Sequence, residues 1–236
     1  MSNTYFQFKQ FTIHQGDCAM KVSTDACIQG AWAQVPSGCK RILDVGCGTG
    51  LLALMLAQRF SNCIIDAIEI DERAAAQAKR NIAESIFAKQ INILHADALT
   101  YPFEHTYDFI ICNPPFFSNS LKGSNNNRNL ARHQQELTLS TLFTLFQKNT
   151  SSTAQVCILL PVDEFATFEH IASTHNWFVN KKLFIKPKDS KTANRVVAIC
   201  SSVNTDCDQQ ELVIYNSAHA YTPLCKELLA PYYLHL

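Results

Sequence analysis

Asn113, Pro114, Pro115 and Phe116 close an apolar run, Tyr107 to Cys112, that reads as a buried strand. Their types suit one kind of chemistry. The side-chain oxygen of Asn113 and the carbonyl of Pro114 are both acceptors. Two successive prolines fix φ, so those acceptors are held before any ligand arrives. Phe116 offers a ring on which a flat group can stack. A planar amine has a delocalised lone pair and attacks poorly. Two acceptors aimed at its two N–H bonds draw the nitrogen toward tetrahedral geometry and localise that pair. An activated donor then needs only orientation, because the proton can leave after transfer. The plainer alternative is a strand followed by a rigid turn, with Phe116 and Phe117 packed into the core.

A second constellation lies upstream. Ile42 to Leu52 reads ILDVGCGTGLL, with Gly46, Gly48 and Gly50 between an apolar run and the start of a helical pattern. Glycines there permit positive φ and close approach of backbone to a ligand, and the helix start offers free N–H groups. A dinucleotide fingerprint is G-x-G-x-x-G. Here Leu51 stands in place of its third glycine, and Asp44 would repel a pyrophosphate. A carboxylate there suits a ligand with a positive amino group and no phosphate, and S-adenosylmethionine is such a ligand. Glu69, followed by Ile70, ends the next strand pattern and can accept both ribose hydroxyls. Asp97, followed by Ala98, ends the one after and can bond an adenine amine. Glu69 alone does not discriminate, because NAD sites use an acid too. The ordered series of glycine loop, Glu69, Asp97 and Asn113 is far more specific.

These residues need elements to carry them. Arg41 to Val45, Ile64 to Ile70, Ile91 to His95, Tyr107 to Cys112 and Val156 to Leu160 read as strands. Helical patterns over Leu51 to Phe60, Glu72 to Ile86, Leu137 to Gln147 and Asp163 to Ser173 lie between or after them. Two β-rich runs, Phe178 to Ile185 and Arg195 to Cys200, flank a Pro-Lys-Asp-Ser-Lys connection, as in a hairpin. The alternation predicts an α/β fold: a Rossmann-like, mostly parallel sheet of about seven strands with helices on both faces and one antiparallel strand near an edge. Loop ends at the carboxyl side of such strands are where open sheets bind ligands. Phe11 to His14 and Met20 to Val22 read as short strands around Gly16-Asp17, and Ser23 as the cap of a helix through Asp25, Ile28, Trp32 and Ala33. No linker composition appears, so residues 1–236 are read as one domain, with 1–36 covering the donor site and 37–236 forming the core.

With 236 residues, 47% hydrophobic and 17% charged, the chain is globular in composition, and its net charge of +0 gives no global attraction for nucleic acid or membrane. The N-terminal residues lack a basic leader followed by an apolar stretch, and no apolar run approaches membrane-spanning length. The 10 cysteines form no C-x-x-C pair. That pattern fits reduced thiols in a cytoplasmic protein rather than a disulfide framework or a metal site, so no metal is expected. Cys47 and Cys112 read as small packing residues. Local charge is less even. Lys181, Lys182, Lys186, Lys188, Lys191 and Arg195 face a single acid, Asp189, within Phe178 to Arg195. Lys122, Arg128, Arg132 and His133 lie in or after the Ser- and Asn-rich loop 118–129. These cations could grip phosphates on either side of the pocket. An ordinary solvated hairpin is the plainer reading.

The glycine loop, Glu69, Asp97 and the N-P-P-F corner together resemble the class I S-adenosylmethionine-dependent methyltransferases. The resemblance implies that the loop cradles the methionine part, Glu69 holds the ribose and Asp97 reads the adenine. It implies S-adenosylhomocysteine as the other product. In that family the corner marks enzymes that modify planar amines: adenine N6, cytosine N4, guanine N2 or a glutamine amide. Phe11 to Ala33 resembles the element that closes over the donor's methionine end, with Met20, Lys21, Thr24 and Asp25 near the donor. Together with Ala131-Arg132-His133, Pro187-Lys188, Asn194-Arg195-Val196 and the terminal TPLCKELLAPYYLHL, the chain most resembles the bacterial tRNA1(Val) adenine-N6-methyltransferases. That likeness implies action on adenosine 37 in the anticodon stem-loop, without DNA as a partner, and a short C-terminal helix with an aromatic tail. The Asn-rich loop departs from the family pattern. Ribosomal RNA methylation, protein glutamine N5-methylation and a non-catalytic RNA-binding role are the competing readings, and oligomeric state is not legible.

Overall fold

The computed structural model describes residues 4–18, 20–115 and 138–236. Phe116, Lys122, Arg128, Arg132, His133 and the expected helix start at Leu137 lie outside them. The described chain forms, in order, β1 (Tyr5–Gln7), β2 (Thr12–His14), α1 (Thr24–Trp32), β3 (Arg41–Val45), α2 (Leu51–Arg59), β4 (Ile64–Glu69), α3 (Glu72–Ala83), β5 (Ile91–His95) and β6 (Tyr107–Cys112). It continues through α4 (Leu139–Asn149), β7 (Thr150–Pro161), α5 (Val162–Thr174), β8 (Phe178–Lys188), β9 (Arg195–Ser201), β10 (Asp208–Tyr215) and α6 (Pro223–Leu229).

Strands β3 to β10 make one eight-stranded sheet in the order β10-β8-β9-β7-β6-β3-β4-β5. Only β9 runs against its neighbours, pairing antiparallel with both β7 and β8. The mostly parallel sheet and its one reversed strand match the expectation. Both faces are covered, which is why β6 reads YDFIIC with almost no polar residue. One apolar layer joins the sheet to α1, α2 and the N- and C-terminal segments. The other joins it to α4 and α5 through Phe143, Phe146, Phe165 and Phe168. Gly30 lets α1 lie tight on α2, since a β-carbon there would meet Met55 Sδ at 2.8 Å.

Two expectations need correction. The sheet has an additional edge strand, β10, paired parallel to β8. Its first four residues, Asp208 to Glu211, are exposed and polar, so no apolar run announces it. Met20 to Val22 form no strand. The partner of β2 is β1, and the Val22 N–H donates instead to Gln15 Oε1 at 2.8 Å. The choice follows the aromatic rings: Phe8 stacks on Phe11 at 4.6 Å and meets Tyr233 edge-on at 5.8 Å, drawing β1 into the core. Ser23 does cap α1, accepting from the Ala26 N–H, and the C-terminal helix forms as α6.

Candidate active site

Strand register gathers the donor-side residues. Val45 is opposite both Ile68 and Cys112, and Ile68 is opposite Leu94. Gly46, Glu69, Asp97 and Asn113 therefore follow neighbouring strand ends along one edge of the sheet. The edge is the carboxyl end of the parallel strands, where helix dipoles and free backbone groups collect.

The glycine loop folds back on β4. Gly46 and Cys47 donate their N–H groups to the Ile68 carbonyl, and Gly50 donates to the Cys47 carbonyl at 2.8 Å. Gly46, Gly48 and Gly50 all have positive φ, at 70°, 54° and 80°. They do not share one role. A β-carbon on Gly46 or Gly48 would enter open space, whereas one on Gly50 would come within 3.2 Å of Ile82 Cδ1. The first two line a cradle, and the third lets α2 begin against α3. Asn81, buried on α3, ties this loop to the N-terminal hairpin: its amide donates to the Thr49 and His14 carbonyls, and its oxygen accepts from the His14 N–H. Sequence reading passed over Asn81, although a polar side chain on the Ala-rich face of α3 was the available signal.

Glu69 accepts from the Gly48 N–H through one oxygen and from the Asp71 N–H through the other, both at 2.9 Å. It holds the loop tip while keeping lone pairs for further donors. Asp97 accepts from the Leu99 N–H at 2.9 Å, and its carbonyl takes the Thr100 and Tyr101 N–H groups, so it organises the turn that carries Ala98. Ile70 and Ala98 are both half-buried at this edge.

Asp44 is fully buried beneath the loop. One carboxylate oxygen accepts from the Ala53 N–H at 3.1 Å, and the other is buried with no partner among the described residues. Burial pushes this carboxyl up to about 7, the Ala53 N–H opposes the rise, and Glu69 adds to it. A buried carboxyl with one bare oxygen asks for a donor or a cation, and a cation beside it favours its charged form. The open face at Gly46 and Gly48, the bare Asp44 oxygen and the Glu69 carboxylate fit the amino group, backbone and ribose of S-adenosylmethionine.

The corner after β6 follows the strand next to β3, and α1 packs against it through the Cys112 carbonyl. Asn113 is half-buried, Pro114 is buried and Pro115 is exposed. Asn113 Oδ1 is buried and, among the described residues, accepts no hydrogen bond. Both orphaned oxygens thus stand at the ends of neighbouring strands. Thr24 and Asp25 open α1. Asp25 lies 3.7 Å from the Arg195 guanidinium, and burial raises its carboxyl while Arg195 lowers it. Lys21 and Met20 are exposed on the segment before α1. Arg195 is therefore brought to the start of α1 rather than held apart on the lysine surface.

The cations of β8 separate into two groups. Lys182 is level with Ala198, Ile158 and hence Cys112. Lys181 bonds Gln34 Oε1, and Lys182 pairs with Glu169 at 2.7 Å on the opposite face. Lys186 and Lys188 lie four and six residues further on, about 13–20 Å beyond the end of β6 at strand rise. Lys186 pairs with Glu211 at 2.8 Å, and Lys188 meets His219 Nε2 at 3.1 Å. Lys191 is exposed on the turn. Beside the turn is an open depression of about 540 Å³ lined by Lys186, Lys191, Asp189 and Glu211 among others. Its two cations face two acids, so the overshooting tip is less positive than the sequence count suggests.

A doubly covered sheet with a glycine cradle, an acid beneath it and an acid on the next strand defines a class: the S-adenosylmethionine-dependent methyltransferases. Residues 33–177 match the methyltransferase small domain family. The chain belongs to that family and, within it, to the family of tRNA1(Val) (adenine(37)-N6)-methyltransferases. It is 40% identical to the protein of that name from Bacteroides thetaiotaomicron over all of both chains. It is 37% identical to the one from Aliivibrio salmonicida over 99% of each. In fold it is similar to a protein of Agrobacterium tumefaciens described as a predicted O-methyltransferase. The TM-score is 0.68 at 19% identity, covering 88% of this chain and 96% of that one. A ribosomal protein L11 methylase from Lactobacillus delbrueckii subsp. bulgaricus gives 0.57 at 15% identity, covering 80% and 83%.

Proposed function

We propose that the chain transfers the methyl group of S-adenosylmethionine to N6 of adenine 37 in the anticodon loop of tRNA1(Val). The observation that carries the chemistry is the buried Asn113 Oδ1, which has no partner among the described residues and stands one strand away from the glycine cradle. The full-length relatives named for that reaction supply the substrate. When bound, S-adenosylmethionine supplies an electrophilic methyl on a positively charged sulfur.

This chain's residues do the rest. Gly46 and Gly48 admit the donor's backbone, Asp44 meets its amino group, Glu69 takes its ribose hydroxyls and Asp97 its adenine amine. Lys21, Thr24 and Asp25 bound the methionine end. Asn113 Oδ1 and the Pro114 carbonyl accept from the two N–H bonds of the target amine, localising its lone pair toward the methyl. Phe116 stacks on the base. The base must leave its stack to reach the corner, which costs least in a single-stranded loop. The turn bearing Lys188 and Lys191 overshoots the corner and takes up phosphates of the stem. A tRNA substrate implies work in the cytoplasm.

Incubation with radiolabelled donor and total RNA from a strain lacking the gene tests this reading. Label in N6-methyladenosine at position 37 of tRNA1(Val) is expected. Label in ribosomal RNA, or in a release-factor glutamine when protein is supplied, would replace it.

A further inference from the structure

We propose that Gln29 is a positioning residue for methyl transfer, fixing the peptide that carries Asn113. The proposal rests on the function inferred above and adds a residue to it.

Gln29 sits in the middle of α1 at 0% exposure. Every other buried residue of that helix is apolar or glycine: Ala26, Cys27, Ile28, Gly30, Ala31 and Trp32. Its amide Nε2 donates to the Cys112 carbonyl at 2.9 Å and, more weakly, to the Cys157 carbonyl at 3.5 Å. Cys112 ends β6, and its carbonyl lies in the same rigid plane as the Asn113 N–H. Turning that plane turns the Asn113 side chain. A bond to the carbonyl therefore sets where the acceptor points.

The same helix begins at Thr24 and Asp25, on the donor side. One rigid element thus spans from the donor end of the site to the peptide before the acceptor corner. Orientation is the main catalytic task here, and a small error in it is costly. The amide also carries a penalty. Gln29 Oε1 is buried and has no partner among the described residues. An unbranched apolar side chain would remove that orphan but would leave the buried Cys112 carbonyl without this donor. What glutamine does here that an apolar residue does not is hold the Cys112 carbonyl.

Gln29→Met keeps length and branching while removing both polar atoms, so it tests the bond without opening a cavity. Four readouts separate the roles. The thermal midpoint is expected to move by no more than a few degrees, since one orphaned acceptor is exchanged for another, and donor affinity by calorimetry to stay within about threefold. Single-turnover transfer to an anticodon stem-loop is expected to fall about 10–100-fold. The fourth readout needs no RNA: hydrogen exchange at the Asn113 amide, expected to quicken in the variant. Transfer at the native rate, or exchange at Asn113 unchanged, overturns the proposal. So does a rate loss matched by equal losses of stability and donor affinity. Native protein that methylates no stem-loop overturns the inferred function instead, and the exchange comparison still decides the role of Gln29.

Discussion

At the ends of β3 and β6, Asp44 and Asn113 each keep a buried oxygen with no partner among the described residues. Along β8, the lysines are engaged by neighbours: Lys181 by Gln34, Lys182 by Glu169, Lys186 by Glu211 and Lys188 by His219. A buried acceptor left bare costs about 1–3 kcal/mol, whereas an exposed ion pair contributes about 0–1 kcal/mol. The sheet edge is thus incomplete until something enters it, and the lysine strand is complete without a partner. The first region selects its ligand by a deficit. The second can exchange its partners for phosphates at little cost, which suits grip rather than recognition.

Breaking the first region has the largest expected effect. Asn113→Ala removes the acceptor and is expected to slow transfer by about 10²–10³-fold, the loss typical of one preorganised polar group in an active site. Donor affinity by calorimetry should be unchanged. A variant that loses donor binding in proportion would show the corner to be part of the donor pocket.

Within the glycine loop, Gly46→Ala and Gly48→Ala put a methyl group into the open cradle at positive φ. Each is expected to weaken donor binding about tenfold or more, with about 1–2 kcal/mol of strain. Gly50→Ala meets Ile82 instead. It should lower the thermal midpoint more than it lowers donor affinity.

Asp44 gives the next effect, in pH dependence. Its carboxyl is raised from 3.8 to about 7 in the folded chain. The protonated form is favoured by folding, so this group's contribution to stability is full below about pH 4. It is lost as pH rises to about 7 and is flat above that. Asp44→Asn removes this slope in thermal unfolding measured from pH 4 to 8, and weakens donor binding at neutral pH. An unchanged slope would assign it to other groups.

The lysine strand sharpens the comparison with the smallest effects. Lys181→Ala and Lys182→Ala should leave tRNA affinity nearly unchanged. Lys188→Ala and Lys191→Ala, on the overshooting turn, should each weaken binding and reduce the salt slope by about one. Equal effects from all four would mean that the whole strand faces the RNA.

The buried half of this molecule was legible in its sequence for a physical reason. Strands β3 and β6 are covered on both faces and read as apolar runs closed by Gly46 and by Asn113-Pro114, while β5, at the other sheet edge and partly exposed, read from Ile91, Ile93 and Leu94. Their bounds follow the sequence pattern residue for residue. β10 was not legible, because half of it is exposed at the sheet edge. The pairing of β2 was misread because the partner is chosen by distant rings on Phe8 and Tyr233, which no local pattern encodes. Gly50 looks like its neighbours in the motif, and only Ile82 across the fold shows its packing role. The lysine cluster counted as one charge patch in the sequence, yet period-two alternation sends Lys181 and Lys182 to opposite faces. Gln29 carried no motif at all; its meaning comes from the Cys112 carbonyl it holds.

The most direct test is a crystal structure with S-adenosylhomocysteine and an anticodon stem-loop bound together. The account predicts the target N6 within hydrogen-bond reach of Asn113 Oδ1 and the Pro114 carbonyl, and about 3–3.5 Å from where the donor's methyl stands. A base whose amine lies away from Asn113, or a corner still closed beneath packed side chains, would contradict it.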